Sequence, residues 1–382
     1  MDKQKIYFPN LNGLRFIAAF LVIIHHVEQM KSISKMDSYW KIVPFIEIIG
    51  KLGVVLFFVL SGFLITYLLL VEEQSYKKIS IKKFYIRRML RIWPLYFIII
   101  ILALGVLPHI PIFTLPGFGK EVVYKDLGLK IFLFAIFFPN LVLSLLGIVP
   151  YAGHTWSIGT EEQYYLIWPV ILRYFKKSRL ALMVFITLAY MLIAQFLYTR
   201  FADPLPYKNV IKAFWSSFNV DCMAIGGFFA ILLFQKSKIL KFILNKYLFY
   251  ITIIGVSILM IKGIYIPYIK YEFYSVLFGI IIINFAANDQ IAISLENKPL
   301  NYLGNISYGI YMYHPIGIVL SLYLAVSINC VTNWLLYPLS VAATIIIASV
   351  SFKFIESPFL KLKSKFSYII SGKETKELGG LK

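Results

Sequence analysis

Acidic side chains are scarce in this sequence, and charged side chains of either sign are few. The 382 residues include 18 Asp and Glu against 38 Lys and Arg, and charged residues make up only 15% of the chain. Hydrophobic residues make up 60% of it, a share well above that of soluble globular domains. This scarcity of charge excludes an ordinary soluble domain and indicates an all-α, polytopic integral membrane protein.

Cysteine is almost absent as well. The two cysteines, Cys222 and Cys330, lie in or beside apolar stretches. Two residues so placed favour neither a disulfide framework nor a cysteine-based metal site. The sequence therefore predicts no bound metal.

The formal charge of +20 is the feature that could suggest nucleic acid as a partner. The Lys and Arg residues, however, stand in short runs between apolar segments, as in loops that stay on the cytoplasmic side of a membrane. We therefore interpret the charge as an orientation signal and expect a lipid bilayer, not nucleic acid, as the partner. The first apolar run has no small-residue cleavage site after it, so we expect it to be kept as a membrane helix.

Ten apolar segments are long enough to cross roughly 30 Å of hydrocarbon as helices. They lie near residues 11–28, 50–70, 92–108, 161–175, 180–199, 213–234, 247–265, 271–287, 303–327 and 333–355. An eleventh stretch, 131–149, is interrupted by Pro139 and Asn140. We expect this stretch to be re-entrant, since irregular backbone at membrane depth is tolerated where protein surrounds it.

The charges of the loops predict the topology. The segment 71–91 holds seven Lys and Arg residues, and two further basic stretches follow at 173–179 and 235–246. If 131–149 turns back, all three basic segments and both chain ends face the cytoplasm. We expect one membrane domain over residues 1–365 and a basic, disordered cytoplasmic tail over 366–382.

The first predicted helix carries ionisable groups at both ends. Ten residues separate Arg15 from His26, so on a helix the two side chains point within about 20° of each other and lie about 16 Å apart along the axis. His25 points about 80° away from that line. A shared polar channel would explain the pair, and so would an arginine reaching the headgroups together with a hydrogen-bonded histidine.

The segment FYIRRMLRIWPLY, residues 84–96, gathers Arg87, Arg88 and Arg91. Their spacing brings the three side chains together at the cytoplasmic end of the third predicted helix. Guanidinium groups bind phosphate bidentately, which suits a polyphosphate such as coenzyme A. Anchoring to anionic lipid headgroups is the alternative explanation.

The segment HTWSIGTEEQYYLIWP, residues 154–169, combines aromatic, hydroxyl and acidic side chains. We expect Glu161 and Glu162 in the first turn of a helix, where the helix dipole favours negative charge. Trp156 and Ser157 stand just before them, at what the topology makes the outer edge of the membrane. This composition is typical of a catalytic or sugar-binding cleft, and equally of an interfacial aromatic belt.

Polar groups also occur within three other apolar segments. Asp221 needs a partner inside the membrane, and Arg15 or another buried cation is a candidate. His314 precedes Pro315, where a hydrogen bond at a helix kink is the ordinary explanation. Ser61 and Gly62 permit close helix packing.

Taken in order, these segments resemble those of the acyltransferase 3 family of membrane-bound acyltransferases, which O-acetylate bacterial surface polysaccharides and peptidoglycan. The motifs that carry the resemblance run from about residue 8 to about residue 360. The first motif is an Arg separated from a His by ten residues, as Arg15 and His26 are here. The others are FFVLSGFLIT, FYIRRMLRIWPLY, TWSIGTEEQYYLIWP, LGNISYGIYMYHP and IESPF. The resemblance implies a catalytic core of about ten transmembrane helices.

The resemblance also implies roles for particular residues. His26 and Arg15 would be required for activity, with His26 acting either as a general base or as a covalent carrier of the acyl group. Glu161 would complete the catalytic set. The residues expected to bind acyl-CoA, the donor substrate, are Arg87, Arg88 and Arg91. The residues expected to bind the acceptor or to support the site are Trp156, Ser157, Glu162, His25, Asp221 and His314.

The expected reaction moves an acyl group, acetyl in most of the family, from cytoplasmic acyl-CoA to a hydroxyl of a carbohydrate or glycolipid. The expected location is the inner membrane of a bacterium. The sequence departs from the family pattern at the doublet His25–His26 and at Asn219, where an Arg often stands. A transporter or flippase of a glycan or lipid-linked precursor is the alternative function, although the chain shows no repeated halves.

Overall fold

The computed structural model describes residues 4–371 and is helical apart from one pair of short parallel strands. The first helices are α1 (Leu11–Ile33), α2 (Pro44–Tyr76), α3 (Ile81–Ile101), α4 (Lys120–Tyr124), α5 (Leu127–Ala135), α6 (Pro139–Leu146), α7 (Trp156–Tyr174) and α8 (Arg179–Phe196). The remaining helices are α9 (Lys208–Ser217), α10 (Val220–Phe234), α11 (Leu240–Ile243), α12 (Lys246–Lys262), α13 (Lys270–Ala287), α14 (Lys298–Asn305), α15 (Ser307–Ser327), α16 (Asn333–Ser351) and α17 (Ser357–Lys365). The strands are β1 (Gln4–Ile6) and β2 (Ile369–Ser371).

The helical architecture confirms an all-α, polytopic membrane protein. Within residues 4–371, eight helical stretches are long and apolar enough to cross a membrane. They are Leu11–Ile33, Pro44–Tyr76, Ile81–His109, Arg179–Phe196, Lys208–Phe234, Lys270–Ala287, Ser307–Ser327 and Asn333–Lys365. The other two predicted segments, 161–175 and 247–265, are helical as α7, with 19 residues, and α12, with 17 residues. All ten predicted positions are therefore helical.

Helix α2 forms the centre of the bundle and packs against α1, α10 and α13. Its contact with α10 is so close that side chains would not fit between the two backbones. A Cβ on Gly62 would come within 2.0 Å of the carbonyl oxygen of Met223, and a Cβ on Gly226 within 2.2 Å of that of Val59. The small residues in FFVLSGFLIT therefore serve the close packing that the sequence predicts.

The stretch 131–149 does not cross the bundle as one helix. It is divided between α5, of nine residues, and α6, of eight. At 1.5 Å per residue each is about 12–14 Å long, less than half the thickness of the hydrocarbon core. Phe137, at the break, has a φ of 61°, a conformation that ends a right-handed helix. The interruption predicted from Pro139 is thus present, and α6 begins at that proline.

The two ends of the described chain lie side by side. Lys5 of β1 pairs with Ile370 of β2 in parallel register, so both ends are on the same face of the bundle. A chain whose two ends lie on the same face crosses the bundle an even number of times. The ten predicted segments give an even number, whereas a full crossing by 131–149 would make eleven. This pairing supports a re-entrant path for 131–149. Residues 369–371 of the predicted tail form the strand β2, and residues 372–382 lie outside the described residues.

Helix α15 lies between α1 and α16 and carries His314 toward α1. It is continuous through Pro315. A Cβ on Gly317 would come within 2.4 Å of the side-chain oxygen of Thr344, so the glycine allows α16 to approach closely. Helices from opposite ends of the chain are in this way packed into one core.

Candidate active site

Three imidazoles from distant segments form a row inside the bundle. His26 lies on α1, His314 lies on α15, and His154 lies in the 3₁₀ turn before α7. The ring centroids of His26 and His314 are 4.7 Å apart, and those of His314 and His154 are 4.9 Å apart. His314 is 0% exposed and His154 is 6% exposed, whereas His26 is half-buried. A substrate would therefore reach the row at His26.

Hydrogen bonds determine which ring nitrogen carries the proton in His26 and His314. Nδ1 of His26 is 2.8 Å from the carbonyl oxygen of Val22, and Nδ1 of His314 is 2.6 Å from that of Tyr311. Because a carbonyl oxygen only accepts, Nδ1 donates in both cases and Nε2 of the neutral ring keeps its lone pair. Nε2 of His314 has no hydrogen-bond partner within the described part of the chain. Two neighbouring imidazoles thus present basic nitrogens.

Ser157 and Tyr311 hold the start of α7 against α15. The hydroxyl of Tyr311 lies 2.9 Å from the carbonyl oxygen of His154 and 2.7 Å from the hydroxyl of Ser157. The hydroxyl of Ser157 also lies 3.3 Å from the carbonyl oxygen of His154, so one hydroxyl donates to the other and the remaining proton goes to that carbonyl. These bonds fix the turn that carries His154 and therefore support the row. The predicted supporting residue Ser157 thus lies beside the row without being part of it.

His25 lies beside the row, with its ring centroid 5.0 Å from that of His26, but its hydrogen bond is made to a different helix. Its Nδ1 donates to the carbonyl oxygen of Ile46 at 2.7 Å, and its ring meets that of Trp40 edge to face at 4.6 Å between centroids. A Cβ on Gly50 would come within 2.3 Å of Cγ of His25. The side chain is therefore packed between α1 and the first turns of α2, where it ties the two helices together.

Arg15 marks a second polar group, at the other end of α1. It is half-buried and donates to Oδ1 of Asn12 at 3.1 Å. Its charged neighbours are Arg88 and Arg91 of α3 and Glu161 of α7. The arginine on the first helix and the arginines on the third helix, treated separately in the sequence, therefore belong to one cluster of positive charge.

Arg87 and Arg88 have different surroundings although they are adjacent. Arg87 forms an ion pair with Glu72 at 2.9 Å and donates to the carbonyl oxygen of Phe366 at 3.2 Å. The Arg88 guanidinium carbon instead lies 5.5 Å from the centre of the Phe84 ring and 5.4 Å from that of the Tyr165 ring. Its buried Nε has no hydrogen-bond partner among residues 4–371. Arg88 is the one of the two that is available to a ligand anion.

An open cavity lies beside these arginines, between α2, α3, α17 and β2. Arg87, Arg88 and Lys363 line it, together with a single acidic residue, Glu72, and apolar side chains. The charges that act on Lys363 come from Arg91, Arg88, Arg87 and Arg15. A pocket in which positive charges face one another favours a ligand that brings several negative charges.

Glu161 and Glu162 are not in the first turn of their helix, and that prediction was wrong. Helix α7 begins at Trp156 and its first turn contains no acidic residue. Glu161 accepts from Ser61 at 3.1 Å and from Tyr165 at 2.7 Å, and Glu162 accepts from Trp93 at 3.0 Å.

The start of α7 lies against α6. A Cβ on Gly159 would come within 2.5 Å of Pro139, so the first turns of α7 are packed against the shorter helix. The carboxylate of Glu161 consequently faces the arginine cluster, where Arg88 and Arg91 act on it.

Asp221 and Trp156 belong to a third polar group. Asp221 is 0% exposed, and the cation among its neighbours is Lys51 of α2, the second of the two alternatives, Arg15 or another cation. The ammonium nitrogen of Lys51 lies 3.9 Å from the centre of the Trp156 ring. The carboxyl group of Glu272 on α13 contacts Asp221. This group is distinct from both the row and the arginine cluster.

The sequence analysis missed three residues that the site contains. His154 was seen within its motif but was not selected, and only the packing of α7 on α15 brings it to His314. Lys363 lies outside the basic stretches that predict the topology, although it lines the cavity. Ser61 was assigned to helix packing alone, although its hydroxyl binds Glu161. The described residues contain no group of three His, Cys, Asp or Glu side chains arranged to hold a metal ion.

Comparison with known proteins gives consistent matches. Residues 8–353 match the acyltransferase domain of the acyltransferase 3 family. The chain is 27% identical over 377 residues to the peptidoglycan O-acetyltransferase OatA of Listeria monocytogenes, covering 93% of this chain and 56% of that protein. It is 26% identical over 381 residues to the O-acetyltransferase OatA of Staphylococcus aureus, covering 93% and 57%.

The chain thus spans a little over half the length of these two relatives. No solved structure matches it. The family match, however, extends over nearly all of the residues that build the bundle. The protein therefore belongs to the acyltransferase 3 family.

Proposed function

We propose that the protein is a membrane-bound O-acetyltransferase. It takes an acetyl group from acetyl-CoA on the cytoplasmic side and transfers it to a hydroxyl of a cell-envelope carbohydrate or glycolipid. The observation that carries the proposal is the arrangement along α1, where one end enters a cluster of cations beside an open cavity and the other meets a row of neutral imidazoles. Both features are needed to bind a polyphosphate thioester and to move its acyl group.

The donor binds at the cation cluster. The buried Nε of Arg88 has no hydrogen-bond partner among residues 4–371, and an anion would satisfy it. Lys363 and Arg91 add positive charge, while Arg15 extends the cluster along α1 toward the core. Arg87, already paired with Glu72, holds the cavity wall. Coenzyme A has phosphates for the cations and a flexible arm long enough to carry its thioester inward.

The reaction takes place at His26. Its Nε2 has a free lone pair, because Nδ1 donates to the carbonyl oxygen of Val22. An imidazole in this state acts as a base or as a nucleophile at neutral pH. On a straight helix Arg15 lies about 16 Å from it, which assigns Arg15 to the donor and not to the reacting carbonyl.

The names of the relatives and the position of His26 on α1 support the proposed carbohydrate or glycolipid acceptor. The relatives carry the names O-acetyltransferase and peptidoglycan O-acetyltransferase. His26 lies in the last third of α1, far from the arginine cluster, so donor and acceptor approach from opposite faces. We propose the inner membrane of a bacterium as the location, with both chain ends in the cytoplasm, and Trp156, Glu162 and Asp221 as residues that support the acceptor side.

The test is consumption of acetyl-CoA by the purified full chain in proteoliposomes, with peptidoglycan glycan fragments as acceptor and free thiol as the readout. His26→Asn and Arg88→Ala should lose activity, while the exposed residues His109 and Arg200 provide matched controls as His109→Asn and Arg200→Ala. A folded protein that neither binds nor consumes acetyl-CoA would contradict the proposal. Transport of a glycan or lipid-linked precursor would then be the function to test.

A further inference from the structure

A second basic imidazole lies directly against His26, where the proposed function places the reaction. His314 has the same tautomer as His26, with Nδ1 donating to a main-chain carbonyl oxygen. Its Nε2 has no partner within residues 4–371, and the side chain is completely buried. A direct transfer from thioester to hydroxyl needs only one base, so it leaves this second base without a role.

We propose that transfer takes two steps, in which His26 carries the acyl group and His314 is the base for the acceptor hydroxyl. The inference rests on the proposed function and adds the order of events. A two-step transfer also agrees with a donor and an acceptor that approach from opposite faces of the bundle. CoA can leave on its own side before the acceptor binds on the other.

In the first step Nε2 of His26 attacks the carbonyl carbon of the thioester. An N–C bond forms, the C–S bond breaks, and CoA leaves as a thiolate that takes a proton from cytoplasmic water. The Nδ1 proton of His26 stays in place, held by the carbonyl oxygen of Val22 at 2.8 Å. That oxygen faces the positive charge that the acylated ring now carries.

In the second step the hydroxyl oxygen of the acceptor attacks the acyl carbon. An O–C bond forms, the N–C bond to His26 breaks, and the hydroxyl proton goes to Nε2 of His314 and then to water. His26 cannot take this proton, because its Nε2 is bonded to the acyl group and its Nδ1 is already protonated. With its ring centroid 4.7 Å from that of His26, His314 is the neighbouring base within reach.

The experiment follows CoA release and protein labelling separately. Full-length protein in proteoliposomes is mixed with radiolabelled acetyl-CoA and quenched at short times, first without acceptor and then with peptidoglycan glycan fragments. The wild type should release a burst of one CoA per protein and carry the label on His26, located by peptide mass spectrometry. Addition of the fragments should discharge the label.

The variants separate the two roles. His26→Gln should give neither burst nor label. His314→Gln should keep the burst within about 2-fold but discharge the label at least about 100-fold more slowly, the usual loss for a missing general base. His109→Gln, which changes an exposed histidine, should match the wild type in both readouts.

Three outcomes would overturn the inference. One is wild-type protein that acetylates the fragments without ever carrying label, a result that does not depend on the folding of any variant. Another is His314→Gln that discharges its label at the wild-type rate. The third is wild-type protein that releases no CoA, which contradicts the proposed function itself and is distinguished by the absence of any turnover.

Discussion

His26 and His314 stand with their ring centroids 4.7 Å apart, although one is near the beginning of the chain and the other near its end. Each is locked in the same tautomer by a carbonyl oxygen of its own helix. Their proximity depends on the packing of α15 beside α1 and on the close approach of α16 at Gly317. The candidate active site is therefore a product of helix packing and not of either motif alone.

Replacing Arg88 with lysine should weaken donor binding. Lysine keeps the charge but loses the planar guanidinium that lies near the rings of Phe84 and Tyr165, and it cannot bind phosphate bidentately. We expect the KM for acetyl-CoA to rise about 10- to 100-fold with a smaller change in kcat. Steady-state kinetics of thiol release would measure it, with Arg200→Lys as the control. An unchanged KM would remove Arg88 from the donor site.

Replacing Arg87 with alanine should mainly reduce stability. Arg87 and Glu72 form a largely buried ion pair, and removal of one partner leaves the other charge uncompensated, at a cost of about 3–5 kcal/mol. The double variant Glu72→Ala/Arg87→Ala should recover part of that loss. Thermal unfolding in detergent would compare the single and double variants. Strict additivity of the two single effects would show that the pair contributes no coupling.

Replacing Gly62 with alanine should destabilise the bundle. The new Cβ would come within 2.0 Å of the carbonyl oxygen of Met223, so α2 and α10 would have to separate, at an expected cost of about 3 kcal/mol or more. Gly255→Ala on α12 is the matched control, because a Cβ there meets no atom within 4 Å. It should stay within about 1 kcal/mol of the wild type. Equal unfolding midpoints for the two variants would argue against the close contact.

Cysteine labelling should test the topology. In a Cys330→Ser background, an impermeant maleimide applied to intact spheroplasts should label Asp37→Cys, in the exposed loop between α1 and α2. It should not label Lys5→Cys or Lys177→Cys until the membrane is opened, because both lie in predicted cytoplasmic segments. Labelling of Lys177→Cys alone in intact spheroplasts would mean that 131–149 crosses the membrane completely.

The sequence by itself determined the helices and predicted the orientation of the chain. The length of each hydrophobic run located all ten predicted segments. A segment in lipid must form its backbone hydrogen bonds internally, as a helix, and its apolar composition therefore marks its length. The runs of Lys and Arg predicted the orientation, and Pro139 predicted the interruption of 131–149. The Arg15 and His26 spacing correctly placed two polar groups at opposite ends of α1.

Only the tertiary structure decided which of these groups meet. Arg87 and Arg88 are adjacent in the same motif and both line the cavity. Arg87 pairs with Glu72, whereas Arg88 lies by the rings of Phe84 and Tyr165. Glu161 lies with the arginines since α7 starts five residues earlier than expected and is packed against α6. His154 joins the row through the bonds of Ser157 and Tyr311. Sequence periodicity gives the face of a helix on which a residue lies, but the partner across that face depends on how the helices pack.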